Sequence, residues 1–452
     1  MLARDGLPML MALVILGSLR AAEGQELLGD QPVRATVIHN ARIFDGTSDA
    51  LTAPMSVMIQ GNKIARIAPA IEAPTGAAVI DAAGRTLMPG LIDAHTHISW
   101  STVPLHVLMT SDPNYTLLRA AKAAEEMLLR GFTSAREVGG NTFGLKRAID
   151  EGYLVGPRIW PSGATISQTS GHGDFRSPWN DLPRAAGDVH WSERVGGTAI
   201  ADGVDEVRRR TREQLMRGAS HIKVMAGGGV SSDFDPLDVT QYSEDEIRAA
   251  VEAAEAWGTY VTVHAYTPAA IQQAVRAGVK CLEHGNLADD ATAALLAEKG
   301  VWWCLQPFLD DEDATPFPEG SPNRRKQLTM VRGTDEAYAL AKKHGIKTAF
   351  GTDTLFDARR ATRQGAQLAK LTRWYTPAEV LRIATSNNGQ LLALSGLRSP
   401  YEGKIGVIEE GALADLLLVD GDPLADIKLI EDPGKNFVLI MKDGRVLKNS
   451  LR

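Results

Sequence analysis

Between about residues 90 and 395 the chain alternates short apolar runs ending in polar residues with Ala/Glu/Arg-rich amphipathic stretches. The apolar runs, near 91–95, 132–137, 158–164, 220–225, 259–264, 279–284, 301–305 and 346–352, read as strands. The stretches at 116–130, 203–217, 244–257, 267–277, 288–299, 333–344 and 376–395 read as helices. Strands alternating with helices imply a parallel sheet, and eight such units point to a closed barrel rather than an open sheet. Short β-rich runs separated by Gly and Asn turn signals flank this region at 35–39, 56–60 and 63–67. They return at 416–419 and 437–441, before an Asp443-Gly444 hairpin signal. The sequence therefore predicts an α/β fold: a (β/α)8 TIM barrel over 90–396, and a small β-sandwich domain formed by both chain ends, 34–89 and 397–452.

A barrel takes about 250 residues, so 452 residues accommodate one barrel plus a small module. A net charge of −7, with no basic run longer than three residues such as Arg208-Arg209-Arg210, gives no footprint for nucleic acid. Two cysteines, Cys281 and Cys304, are too few for a disulfide framework or a thiolate zinc site, and they read as buried thiols on neighbouring strands. The uncharged run 7–19 is too short to span a bilayer. With the small residues around Ala22-Glu23-Gly24 it reads as a signal peptide over 1–24. That predicts a periplasmic or secreted protein without stable membrane insertion; if 1–24 is not a signal peptide, the protein would be cytoplasmic.

The residues that carry chemistry fall at the C-terminal ends of the strand candidates, where barrel active sites are built. His95 and His97 close the first strand two residues apart, so their imidazoles share a face and suit a divalent metal. His264 and His284 end the fifth and sixth strands and Asp353 ends the eighth. Lys223 lies inside the apolar run Ile222-Lys223-Val224-Met225. A bare ammonium facing a barrel interior is costly unless paired or neutralised. Either a salt bridge to Glu137 or conversion to a carbamate that bridges two metals answers that cost, and the residues alone leave both open.

Leu87-Met88-Pro89-Gly90-Leu91-Ile92-Asp93-Ala94-His95-Thr96-His97, His221-Ile222-Lys223-Val224-Met225, Val263-His264-Ala265, Glu283-His284-Gly285 and Gly351-Thr352-Asp353 resemble the amidohydrolase superfamily. The match is to its binuclear-metal, imidazolonepropionase- and prolidase-like branch. Segments 162–174, 200–208 and 239–243 are similar to ochratoxinase-type carboxypeptidases. The resemblance covers about 34–450. It implies two divalent metal ions, expected to be zinc: His95, His97 and Asp353 hold one, His264 and His284 the other, and N6-carboxylysine at Lys223 bridges them. It also implies a hydroxide shared by the metals, with Asp353 accepting its proton and passing it to the departing amine. His172, in the Gly-rich loop Ser170-Gly171-His172-Gly173, suits an oxyanion donor. Tyr242, beyond the fourth strand, is the second candidate donor, although Ser243 and Glu246 already form a capping box there.

The function this predicts is hydrolysis of an amide or peptide bond to a C-terminal, hydrophobic or aromatic amino acid in a small-molecule amide or dipeptide. N-acyl-phenylalanine, ochratoxin-like amides and X-Pro or X-Phe dipeptides are examples. A cyclic-amide, lactone or phosphotriester hydrolase using the same centre is the alternative, and an inactive barrel serving as an assembly module is the non-enzymatic one. Relatives of this kind are often large, so a homo-oligomer is expected. Glu137 stands where relatives carry Asp. Segment 175–199 reads as a roof or subunit contact, and 306–323, with Asp310-Asp311-Glu312-Asp313, reads as a solvated lid. Gly227-Gly228-Gly229 reads as a close backbone approach to the site rather than a phosphate cradle.

Overall fold

In the computed structural model, residues 35–179 and 189–451 are described; the expected signal peptide lies outside them. The first barrel strand, Leu91–Thr96, pairs in parallel with the second, Phe132–Glu137, which pairs with Arg158–Pro161. The remaining ladder runs in parallel from Thr165–Ser167 through Ile222–Met225, Val261–Ala265, Cys281–His284 and Trp302–Leu305 to Thr348–Phe350. The expected third strand is thus broken after Pro161. Its second piece turns to the fourth strand and also carries Thr198–Ile200 on its other edge.

The seam between the eighth and first strands closes by a different device. Asn388 is fully buried; its Nδ2 donates to the Ile92 carbonyl at 2.7 Å and the Phe350 carbonyl at 2.8 Å, and its Oδ1 accepts from Phe350 N. Gly351 completes the approach, since a Cβ there would lie 2.2 Å from His95 Cβ. The sequence predicts one helix over 376–395. The structure instead interrupts it with a π-helical turn, Ile383–Asn387, between Pro377–Arg382 and Asn388–Ala393. That turn precedes the asparagine that bridges the seam, in keeping with the functional placement of such irregularities.

Strands from both chain ends build the second layer. Thr36–Ile43 is shared: its first half pairs with Met55–Gln60 and Ala78–Asp81, its second with Thr86–Pro89. Leu416–Val419, Phe437–Lys442 and Arg445–Asn449 continue the sheet. Alternating Ile38, Val57, Ile59, Leu87, Leu416 and Leu418 fill a separate core. Arg158 ties the layers together through Asp415 at 2.8 Å and Asp443 at 2.7 Å. No helix among the described residues is long and apolar enough to cross a membrane.

Candidate active site

The strand ends converge on one cavity of about 300 Å³ whose lining includes His95, His97, Lys223, His264, His284 and Asp353. Two of these ends turn through the left-handed region, His284 at φ 71° and Asp353 at φ 48°. Non-glycine residues adopt that conformation at a cost when the surroundings require it, and such strain clusters at functional sites.

Each of the four imidazoles is anchored by one ring nitrogen, which leaves the other for a ligand. His95 Nδ1 donates to Glu283 Oε2 at 2.7 Å and His97 Nδ1 donates to the Gly139 carbonyl at 3.1 Å. His264 Nε2 donates to the Gly228 carbonyl at 3.1 Å, and His284 Nδ1 to Gln306 Oε1 at 2.7 Å. Such partners fix tautomer and ring orientation in metal sites. Asp353 Oδ1 lies 3.3 Å from Nε2 of both His95 and His97. Burial pushes the His264 and His284 imidazoles well below their ordinary value, towards the neutral form that binds metals. Burial opposes ionisation of Asp353, but His95 and His97 outweigh it and hold its carboxyl well below the usual range. One ligand atom from each of His95, His284 and Asp353 lies within 4.8 Å of the others. Four pre-oriented imidazoles, with burial favouring the neutral form of His264 and His284, and an ionised Asp353 carboxylate fit a divalent ion.

Lys223 is buried, and among the described residues its amine makes no ion pair. Burial lowers its pKa, with Glu283 and Asp353 opposing. The salt bridge to Glu137 does not form: Glu137 turns to the Ile98 amide at 2.7 Å and the Ser99 hydroxyl at 3.2 Å, and burial pushes its carboxyl up to about 8.

His172 reaches the cavity. Its ring stacks on His264 at 4.1 Å, while Nδ1 lies 2.7 Å from Ser232 Oγ and 3.4 Å from Asp235 Oδ2. Gly229 makes room, because a Cβ there would stand 1.9 Å from the ring. Tyr242 is not brought to the site. It sits at φ 61°, and its hydroxyl donates to the Ala201 carbonyl at 2.9 Å within the core. Another tyrosine, Tyr266, lines the cavity with its ring 5.0 Å from His264 and 5.3 Å from His284. The only local signal for it was its place two residues after His264.

The acidic run lies in a roof over the cavity, with Asp310 and Glu312 exposed and its carboxylates tied down by ion pairs. Asp310 pairs with Arg324, Asp311 and Asp313 with Lys370, and Glu312 and Asp313 with Arg363. The cross-linked segment roofs the cavity through Phe308, Leu309, Thr315 and Phe317. From the 175–199 segment, Phe175 lines the same space. Cys281 and Cys304 are buried free thiols.

A parallel barrel whose mouth gathers four oriented imidazoles, a buried lysine and a carboxylate defines a metal-dependent hydrolase. The chain belongs to the amidohydrolase family, whose model matches residues 86–447. It is an enzyme of the kind that acts on amide or peptide bonds. It is 34% identical over 373 residues to ochratoxinase of Aspergillus niger, covering 80% of this chain and 75% of that protein. Among solved structures it resembles a prolidase complexed with N-methylphosphonate-L-proline, with TM-score 0.84 and 36% identity over 92% of this chain and all of that one. A Xaa-Pro dipeptidase with bound methionine gives TM-score 0.78 and 29% identity over the same shares.

Proposed function

We propose that the enzyme hydrolyses amides whose departing amine is a hydrophobic amino acid with a free carboxylate, such as N-acyl-phenylalanines and X-Pro or X-Phe dipeptides. The observation that carries this is the cavity itself: ligand-bearing strand ends on one side, and Trp100, Phe175, Phe308, Phe317 and Met330 forming apolar walls above them. The ochratoxinase, prolidase and Xaa-Pro dipeptidase relatives support the same substrate class.

In this reading His95, His97 and Asp353 would hold one divalent ion, His264 and His284 the second, with Lys223 carboxylated between them; zinc is the expected metal. The chemistry a metal pair supplies in such a cage is activation of water near neutral pH and polarisation of a carbonyl. Asp353 Oδ, ionised because its imidazole neighbours hold its pKa down, accepts the proton of the attacking water and returns it to the leaving nitrogen. His172, held through Nδ1 by Ser232 and Asp235 at the cavity wall, donates from its other ring nitrogen to the developing oxyanion. The aromatic roof excludes water from this exchange.

The test is amino-acid release from N-acyl-L-phenylalanines and X-Phe, X-Leu and X-Pro dipeptides by protein purified with zinc, with and without chelator. Chelator-sensitive release of the C-terminal residue supports the reading. No release from any of them, in protein holding two metals, moves the activity to cyclic amides, lactones or phosphotriesters. Lys223→Ala is expected to abolish occupancy by two metals; a variant keeping both metals and full rate overturns the bridging lysine.

A further inference from the structure

Among the described residues lining the cavity, Arg360 is the one cation to which the proposed chemistry gives no role. It is 5% exposed and lines the cavity together with Asp353 and Phe356. Its Nε donates to the Asp313 carbonyl oxygen and its Nη1 to Thr315 Oγ1, both at 2.7 Å. Both acceptors are neutral. Among the described residues no carboxylate lies within ion-pair reach of the guanidinium, since the nearby acids are already committed elsewhere. Asp313 is taken by Arg363 and Lys370, Asp311 by Lys370, and Asp357 accepts from the backbone amides of Arg359 and Arg360. A guanidinium has five N–H donors, so Nη2 and one hydrogen of Nη1 are left over. A buried charge without a counter-ion is costly. The two roof contacts nevertheless hold this one in place in the cavity lining, beside Phe308, Leu309 and Phe317 and near Asp311 and Asp313, whose carboxylates pair with Lys370 and Arg363. Burial presses the charged form, lowering its pKa, while the Asp353 carboxylate is the largest opposing influence.

We propose that Arg360 is the anion anchor of the cavity, binding a carboxylate of the substrate and thereby selecting carboxylate-bearing amides over neutral ones. This rests on the amide-hydrolase reading for the reaction, but not for the binding. A planar carboxylate entering the cavity meets two adjacent N–H groups suited to bidentate pairing. It also supplies the counter-charge that the fold withholds, in a water-poor site where an ionic hydrogen bond discriminates strongly against a neutral amide.

The experiment compares N-acetyl-L-phenylalanine, N-acetyl-L-phenylalaninamide and N-succinyl-L-phenylalaninamide as substrates of the wild type, Arg360→Gln and Arg360→Lys. Arg360→Gln is expected to raise KM about 10- to 100-fold for the substrate whose carboxylate it reads. Its kcat, and its KM for the neutral amide, should stay within about threefold. Loss on the acetyl acid places the anchor at the α-carboxylate; loss on the succinyl amide places it on the acyl side. Arg360→Lys should restore part of the preference, because it keeps the charge and loses the fork. Equal KM increases on charged and neutral substrates, or none on either acid, overturn the anchor.

If the wild type hydrolyses none of the three, the amide reading fails separately. The anchor is then read from calorimetric binding of 3-phenylpropionate against 3-phenylpropionamide to the purified protein. A carboxylate preference that Arg360→Gln abolishes upholds it. If neither variant folds, the wild-type preference decides alone, and equal affinity for the two probes overturns the proposal.

Discussion

His95 and Glu283, 188 residues apart in the chain, meet at 2.7 Å between Nδ1 and Oε2 in a site closed to solvent. Arg136, also fully buried, donates through Nη2 to the other carboxylate oxygen at 2.6 Å, and Thr262 donates to that same oxygen. Burial opposes ionisation of Glu283, but Arg136 and His95 outweigh it and keep the carboxyl well below its usual value. The charged acid thereby fixes which nitrogen of His95 faces the cavity. Glu283→Gln removes that orientation and strands the Arg136 charge. Metal affinity should fall about 10- to 100-fold, and unfolding free energy by about 3–5 kcal/mol. Metal titration and denaturant unfolding of the same preparation measure both.

His172 has a comparable partner in Asp235, which is buried, and Ser232 shares the contact. His172→Asn should lower kcat about 10²- to 10³-fold with little change in KM, the signature of lost oxyanion stabilisation. Asp235→Asn should give a smaller loss of the same kind, since it acts only by orienting the ring. A fall in KM-limited binding with unchanged kcat in both variants would contradict this role.

The two tyrosines separate cleanly. Tyr242→Phe leaves the buried Ala201 carbonyl without its donor, so stability should fall by about 1–3 kcal/mol while activity stays near wild type. The Tyr266 hydroxyl makes no hydrogen bond to any described residue, and its ring lies against the imidazoles. Tyr266→Phe should therefore preserve the unfolding midpoint and lower kcat/KM by about tenfold or more. Parallel melting curves and kinetics decide the assignment.

The join between the layers is acid-sensitive. At Asp443, burial opposes ionisation, but Arg158 outweighs it and lowers the carboxyl from its ordinary 3.8. A depressed folded-state value contributes stability that is present above the unfolded value and lost as pH falls through the folded one. The difference in unfolding midpoint between wild type and Asp443→Asn should thus be full near neutral pH and shrink below about pH 4. A difference independent of pH would mean that the contact acts through packing alone.

Strand-end chemistry was legible because it is local. His95 and His97 lie two residues apart on one strand face, and His264, His284 and Asp353 each end an apolar run, so period and position alone placed them on one rim. Lys223 was conspicuous for the same reason, as a charge inside an apolar strand. Where a side chain points after a strand ends was not legible. Tyr266 directly follows the fifth strand and lines the cavity, whereas Tyr242 lies in the loop well beyond the fourth, at φ 61°, with its hydroxyl bonded to the Ala201 carbonyl in the core. The acidic run at 310–313 read as solvated because Lys370 and Arg363, which cross-link it, lie more than forty residues downstream.

The sequence by itself thus determined the eight-fold strand–helix alternation, the rim and its ligand types, through periodicities of two and 3.6 residues that any short window contains. Tertiary structure alone decided which nitrogen of each histidine faces the cavity, that Glu137 turns away from Lys223, and that Arg360 is left without a counter-charge. Those depend on pairings such as His95 with Glu283 and Asn388 with Ile92, made across hundreds of residues. They exist only once the barrel has closed and burial has forced every polar group to find its partner.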